Sequence, residues 1–145
     1  MMYKRVMLTL DRSPLAEQAL PHAVALAKAF GASIELVGVV PIAPPDGMYA
    51  GAVTVDWESE TAQYEEYLAG VLSRVQEEGL KARSEIRRGD VANEILRHAE
   101  EAQVDVIVMS THGRSGLGRW VYGSIADRVL RHATAPVLLV RATEE

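Results

Sequence analysis

Residues 110–124 read Ser-Thr-His-Gly-Arg-Ser-Gly-Leu-Gly-Arg-Trp-Val-Tyr-Gly-Ser, with glycines at positions 113, 116, 118 and 123. Glycine lets backbone N–H groups close around an anion, and an amphipathic segment from Ser124 through His132 follows at once. The start of such a helix adds unpaired amide donors and a partial positive charge, so the stretch has the chemistry of a phosphate cradle. Turn formation alone is the alternative, but three glycines in 113–118 and a fourth before the helix exceed what one turn needs. Ser124 with Asp127 also reads as an S-x-x-D helix cap, a role compatible with anion binding because a helix start has several free N–H groups.

Other templates fit poorly. A P-loop needs G-x-x-x-x-G-K-[ST], whereas Gly113 to Trp120 gives G-x-x-x-x-G-R-W, without the phosphate-reaching lysine or the magnesium-binding hydroxyl. A dinucleotide fingerprint would follow the first strand, where Leu10-Asp11-Arg12-Ser13-Pro14 has no glycine. A phosphoacceptor domain would cluster acids at two strand ends and place a lysine near the last strand; only Asp11 and Asp90 are available. The histidines at 22, 98, 112 and 132 show no i,i+4 pair or zinc-type spacing, and no G-x-S-x-G elbow occurs. His112 is a candidate site-wall residue; the other three read as surface or helix-packing residues. No general base accompanies the glycine loop, so rapid hydrolysis is not expected.

The elements that must position this loop alternate short apolar runs with segments of three-to-four-residue period, the pattern of an α/β fold with a parallel sheet. Five strands are predicted, at Tyr3 to Leu10, Ser33 to Val40, Lys81 to Arg87, Val104 to Ser110 and Pro136 to Arg141. Four helices connect them. The first is capped by Ser13, carries Pro14 in its first turn, kinks at Pro21 and ends at Gly31. The second runs from Trp57 to about Glu78, with Glu58, Glu60, Glu65, Glu66, Glu77 and Glu78 largely on a solvated face. The third is capped by Asp90 and runs through Ala102, and the fourth is the segment from Ser124. Strand three is weakly apolar and alternating, as suits an edge. Pro41 to Asp56, with three prolines and two glycines, is the one long loop: a surface excursion, or a lid or partner-contact segment beside the site.

With 145 residues, the chain supports one domain (residues 1–145) around a single core. Zero cysteines exclude thiol chemistry and disulfides, and a net charge of −5 offers no general attraction to nucleic acid. No early apolar stretch approaches the roughly 20 residues of a membrane span, so the reading is a soluble, unprocessed, cytoplasmic protein with neither nucleic-acid nor membrane partners.

The glycine loop resembles the universal stress protein family, whose nucleotide-binding members carry G-x-x-G-x₉-G-[ST]. Gly113, nine intervening residues, Gly123 and Ser124 match at the right spacing, while Ser110 stands where the first glycine belongs. The opening VMLTLDRSP and the segment MSTHGRSGLGRWVYGSIADRVLRHATAPVLLV extend the likeness across essentially the whole chain. This resemblance implies a doubly wound domain of the adenine nucleotide alpha hydrolase-like type, with a five-stranded parallel sheet in order 3-2-1-4-5 and ATP across the switch between strands one and four. It implies that Asp11 binds the ribose side and that Val39 offers its backbone to the adenine edge. Gly113, Gly123, Ser124 and Ile125 would supply N–H groups to the phosphates, with Met109, Ser110, Thr111 and His112 along the adjoining wall. It further implies Mg²⁺ or Mn²⁺ on the phosphates, binding rather than fast turnover, and a homodimer joined at the strand-five edge. Asp11 also has a plainer reading, as a turn residue ahead of the first helix.

Overall fold

The computed structural model describes residues 2–42, 57–111 and 124–143. Its five strands are β1 (Arg5–Thr9), β2 (Ser33–Pro41), β3 (Ala82–Gly89), β4 (Val106–Ser110) and β5 (Val137–Val140), all parallel, in the order β3-β2-β1-β4-β5. The helices are α1 (Pro14–Glu17), α2 (Leu20–Phe30), α3 (Trp57–Glu77), α4 (Val91–Glu101) and α5 (Ser124–His132). The expected doubly wound architecture is present, with strand ends displaced by one or two residues from the sequence reading.

Side-chain alternation along the central strands divides the core between two faces. Val6, Leu8, Ile34, Leu36, Val106 and Val108 face α1, α2 and α3, where Ala16, Ala23, Ala27, Leu68, Val71 and Val75 pack on them. Met7, Val37, Val39, Ile107 and Met109 face the other way, against Ala92, Ile95 and Ala99 of α4 and Ala126 and Val129 of α5. Small alanines let α2 sit close to the sheet, and every central strand is covered on both sides, which accounts for their nearly continuous apolar sequence.

The kink expected at Pro21 is a break. The first helical segment divides into α1 and α2 around Gln18 and Ala19, which puts Pro21 in the first turn of α2. There its missing N–H has no intrahelical partner to lose, whereas in a continuous helix it would leave the Glu17 carbonyl unpaired. The two caps are as the sequence indicates: Ser13 Oγ accepts from Ala16 N at 3.0 Å and Asp90 Oδ2 from Asn93 N at 3.1 Å. Most of the acidic residues of α3 face water, but Glu60 is half-buried and pairs with Arg12.

Unforeseen in the sequence is a polar cluster between β2, β3 and α4. Glu35 in β2 and His98 in α4 are 5% and 3% exposed, and Glu35 Oε1 lies 3.1 Å from His98 Nε2. Glu35 Oε2 accepts from Arg83 Nε at 2.8 Å. Arg87 donates through Nε to Glu94 at 2.9 Å and through Nη1 to Glu85 at 3.0 Å and Glu101 at 3.1 Å, while Arg97 holds the other oxygen of Glu94 at 2.9 Å. Burial opposes the charge on Arg87, but its bonds to Glu101 and Glu94 outweigh this and hold its protonation above the ordinary range. Gly89 (φ +148°) completes the arrangement, since a Cβ there would stand 3.0 Å from Glu94 Oε2.

On the opposite face, Tyr67 of α3 donates its phenolic proton to Glu17 Oε2 at 2.6 Å. Burial, followed by this bond and the charge of Glu17, raises its pKa well above the usual 10.0. The native state thus favours neutral Tyr67, so its contribution to stability is complete below about pH 10 and declines as pH climbs toward the folded-state value. Tyr67→Phe should cost about 1 kcal/mol at neutral pH through the lost hydrogen bond. It should also lose stability less steeply than the parent above pH 10; urea denaturation of both proteins from pH 8 to 11 checks this.

Candidate functional site

Three strands end together on one side of the sheet. The β1–β4 register pairs Leu8 with Val108, and three residues further on each strand the chain reaches Asp11 and Thr111. On the other flank β1 pairs Thr9 with Val37, and Leu10 N donates to Val37 O at 2.9 Å, two residues before Val39. From β1 the chain turns to the face holding α1 and α2, while α5, which follows β4, packs on the opposite face. The elements that follow β1 and β4 thus lie on opposite faces, which makes the carboxyl ends of these two strands the topological switch point where open α/β sheets bind ligands.

Asp11 is partly exposed, and its Oδ1 accepts from Ser13 N at 3.0 Å and Ser13 Oγ at 2.6 Å. The turn role read from sequence is therefore present. Both bonds fall on Oδ1 and help to orient the carboxylate. Between them Arg12 has φ +74°, a left-handed conformation that a residue with a Cβ adopts at a cost of about 1–3 kcal/mol. Its side chain is 15% exposed and turns to α3, donating from Nη1 to Gln63 at 2.6 Å and from Nη2 to Glu60 at 3.0 Å, with the guanidinium 4.7 Å from the centre of the Tyr64 ring. Among the described residues Arg12 Nε is buried without a partner.

The other predicted residues divide into wall and core. Ser110 ends β4 at 7% exposure and pairs in register with Val140. Thr111 bonds through its N–H to Val140 O, and its hydroxyl accepts from Ala142 N at 3.1 Å, so it also ties down the segment after β5. Val39 and Met109 are 5% and 4% exposed with side chains in the α4/α5 core, leaving the main chain as what Val39 can offer a ligand. Gly38 beside it admits the buried Tyr64 ring, whose nearest carbons would lie 2.7 Å from an added Cβ.

Ser124 opens α5 and is exposed, Ile125 is partly buried against the core, and Asp127 pairs forward with Arg131 at 2.8 Å. His112, Gly113 and Gly123 lie outside the described residues. Two open clefts of about 440 and 470 Å³ flank β3, one against α3 and one against α4, and neither includes a predicted site residue. Both clefts lie away from the switch between β1 and β4. Arg12 was missed in the sequence: nothing in Asp-Arg-Ser distinguishes a clasping arginine from a solvated one.

The universal stress protein family model matches residues 2–141. The chain belongs to that family. A universal stress protein of Methanocaldococcus jannaschii is 38% identical over 144 residues, covering 97% of this chain and 83% of the relative. Among universal stress proteins of known structure, one from the same archaeon superposes with a TM-score of 0.81 at 25% identity over the full length of both chains. Two more distant ones share the fold at a TM-score of 0.69: a universal stress protein in complex with cAMP (20% identity, 97% of this chain and 98% of that one) and one from Archaeoglobus fulgidus in complex with dAMP (22%, 96% and 98%). Ser110, which stands where the resemblance expects the first motif glycine, puts a Cβ at the end of β4.

Proposed function

We propose that the chain binds adenine nucleotide, ATP in particular, at the crevice between the carboxyl ends of β1 and β4, and acts as a nucleotide-responsive module of the stress response. The observation that carries this reading is the convergence of Asp11, the end of β2 and the end of β4 on one switch point. Asp11 would face the ribose and the Val39 main chain the adenine edge. Ser110 and Thr111 would form the wall, with His112 and the Met109 main chain, and the N–H groups of Gly113, Gly123, Ser124 and Ile125 would meet the phosphates, helped by the partial positive charge at the start of α5. Mg²⁺ or Mn²⁺ would enter on the phosphate oxygens of the nucleotide. With no base assigned to activate water, hydrolysis is slow or absent, and occupancy rather than turnover carries the signal.

The complexes of related proteins with cAMP and dAMP support an adenylate ligand. No helix among the described residues is long and apolar enough to cross a membrane, which agrees with a cytoplasmic module. The active form would be a homodimer paired along β5, one of the two edge strands of the sheet, where Leu138 is 38% exposed.

Freshly purified protein, denatured and chromatographed, is expected to release adenine nucleotide. After stripping, Mg-ATP at 100 times its Kd should raise stability by about 2.7 kcal/mol. The absence of both effects at millimolar ATP would sink the proposal in favour of a regulator working by protein contacts alone, a role that Ser110 in place of glycine would favour. Steady phosphate release, lost on mutation of the site, would instead mark a slow ATPase.

A further inference from the structure

Arg12 is joined to the candidate site by its backbone and to α3 by its side chain. It forms the middle of the 11–13 turn, whose two hydrogen bonds to Asp11 Oδ1 help to orient that carboxylate. The turn needs a left-handed residue at position 12, where an arginine is not at ease. Its guanidinium meanwhile grips Glu60, Gln63 and the face of Tyr64. Tyr64 in turn is seated on Gly38, next to Val39. One side chain thus connects the end of β1, the first turns of α3 and the end of β2.

We propose that Arg12 is a positioning residue for adenylate recognition, its clasp on α3 holding the 11–13 turn so that Asp11 is aimed at the sugar. The proposal rests on the nucleotide reading of the site. Without the clasp, an ordinary residue at position 12 relaxes to negative φ, the Ser13 bonds to Asp11 shift, and the carboxylate turns away. The loss therefore falls on the sugar hydroxyls. Glycine at position 12 behaves differently, since it keeps the left-handed turn without strain even when the clasp is gone.

Calorimetric titration of the parent, Arg12→Ala, Arg12→Gly and Glu60→Ala with Mg-ATP and with Mg-2′,3′-dideoxyATP tests this. Arg12→Ala is expected to weaken ATP binding about tenfold, the scale of one lost hydrogen bond to a charged group, with little change for the dideoxy nucleotide. The parent's preference for ATP should therefore shrink toward one. Arg12→Gly should fall between parent and Arg12→Ala, and it keeps the experiment decisive if the alanine variant folds poorly. Glu60→Ala, which leaves residues 10–13 intact, should shift the preference in the same direction. Unchanged ATP affinity in both Arg12 variants, or an equal loss for both nucleotides, overturns the clasp and leaves the site reading standing. A parent chain that binds neither nucleotide overturns the site reading and the clasp together.

Discussion

Arg87→Met should lower the free energy of unfolding by about 1–3 kcal/mol, the usual cost of taking one donor from a buried polar group. Arg87 is 10% exposed and is the shared donor to Glu85, Glu94 and Glu101. Methionine fills much of the volume but leaves the 11%-exposed Glu94 with Arg97 as the remaining donor seen on it, while Glu85 and Glu101, each more than half exposed, are left to water. A domain of this size typically has only about 5–15 kcal/mol in total, so the urea midpoint should fall sharply at an unchanged slope. The double variant Arg87→Met/Glu94→Leu should recover part of the loss, because the buried carboxylate goes with its partner. A single-variant cost below about 1 kcal/mol would mean that the cluster is hydrated enough to behave as surface ion pairs do.

Gly123→Val is expected to raise the Kd for Mg-ATP about a hundredfold while leaving the urea midpoint near that of the parent. Gly123 immediately precedes α5, whose first amides have no acceptor within the helix. In the proposed site those amides and that of Gly123 bond directly to phosphate oxygens, and charge-assisted bonds of this kind contribute about 1.5–3 kcal/mol each. A branched side chain at 123 keeps the phosphates at a distance and so forfeits one or two of them. Nucleotide bound with parental affinity by this variant would show that the phosphates sit elsewhere. A variant that loses stability as much as affinity would mark the glycine as a turn former.

The paired carboxyl ends of β1 and β4 were legible because periodicity marks strands and helices, and because the family resemblance supplied the strand order. Asp11, Ser110 and Thr111 could be placed at strand ends for the same reason. Pro21 was legible only in part: its missing N–H predicted a disturbance, but whether the chain kinks or breaks depends on how both helical pieces pack on the sheet. The cluster around Arg87 escaped notice because Glu35 sits in an otherwise apolar strand while its partners lie 48 and 63 residues further on.

The amino-acid sequence by itself determined a cysteine-free α/β domain of net charge −5 whose chemistry must come from backbone amides, hydroxyls and a carboxylate. Those properties are local: composition, residue type and spacing suffice to read them. Only the tertiary structure decided that Arg12 turns away from solvent to grip α3, and that Glu35, His98, Arg87 and Glu94 share one buried cluster. The reason is physical: whether a charged side chain is solvated or buried and paired depends on neighbours distant in sequence. For Arg12 the nearest of those partners is 48 residues away.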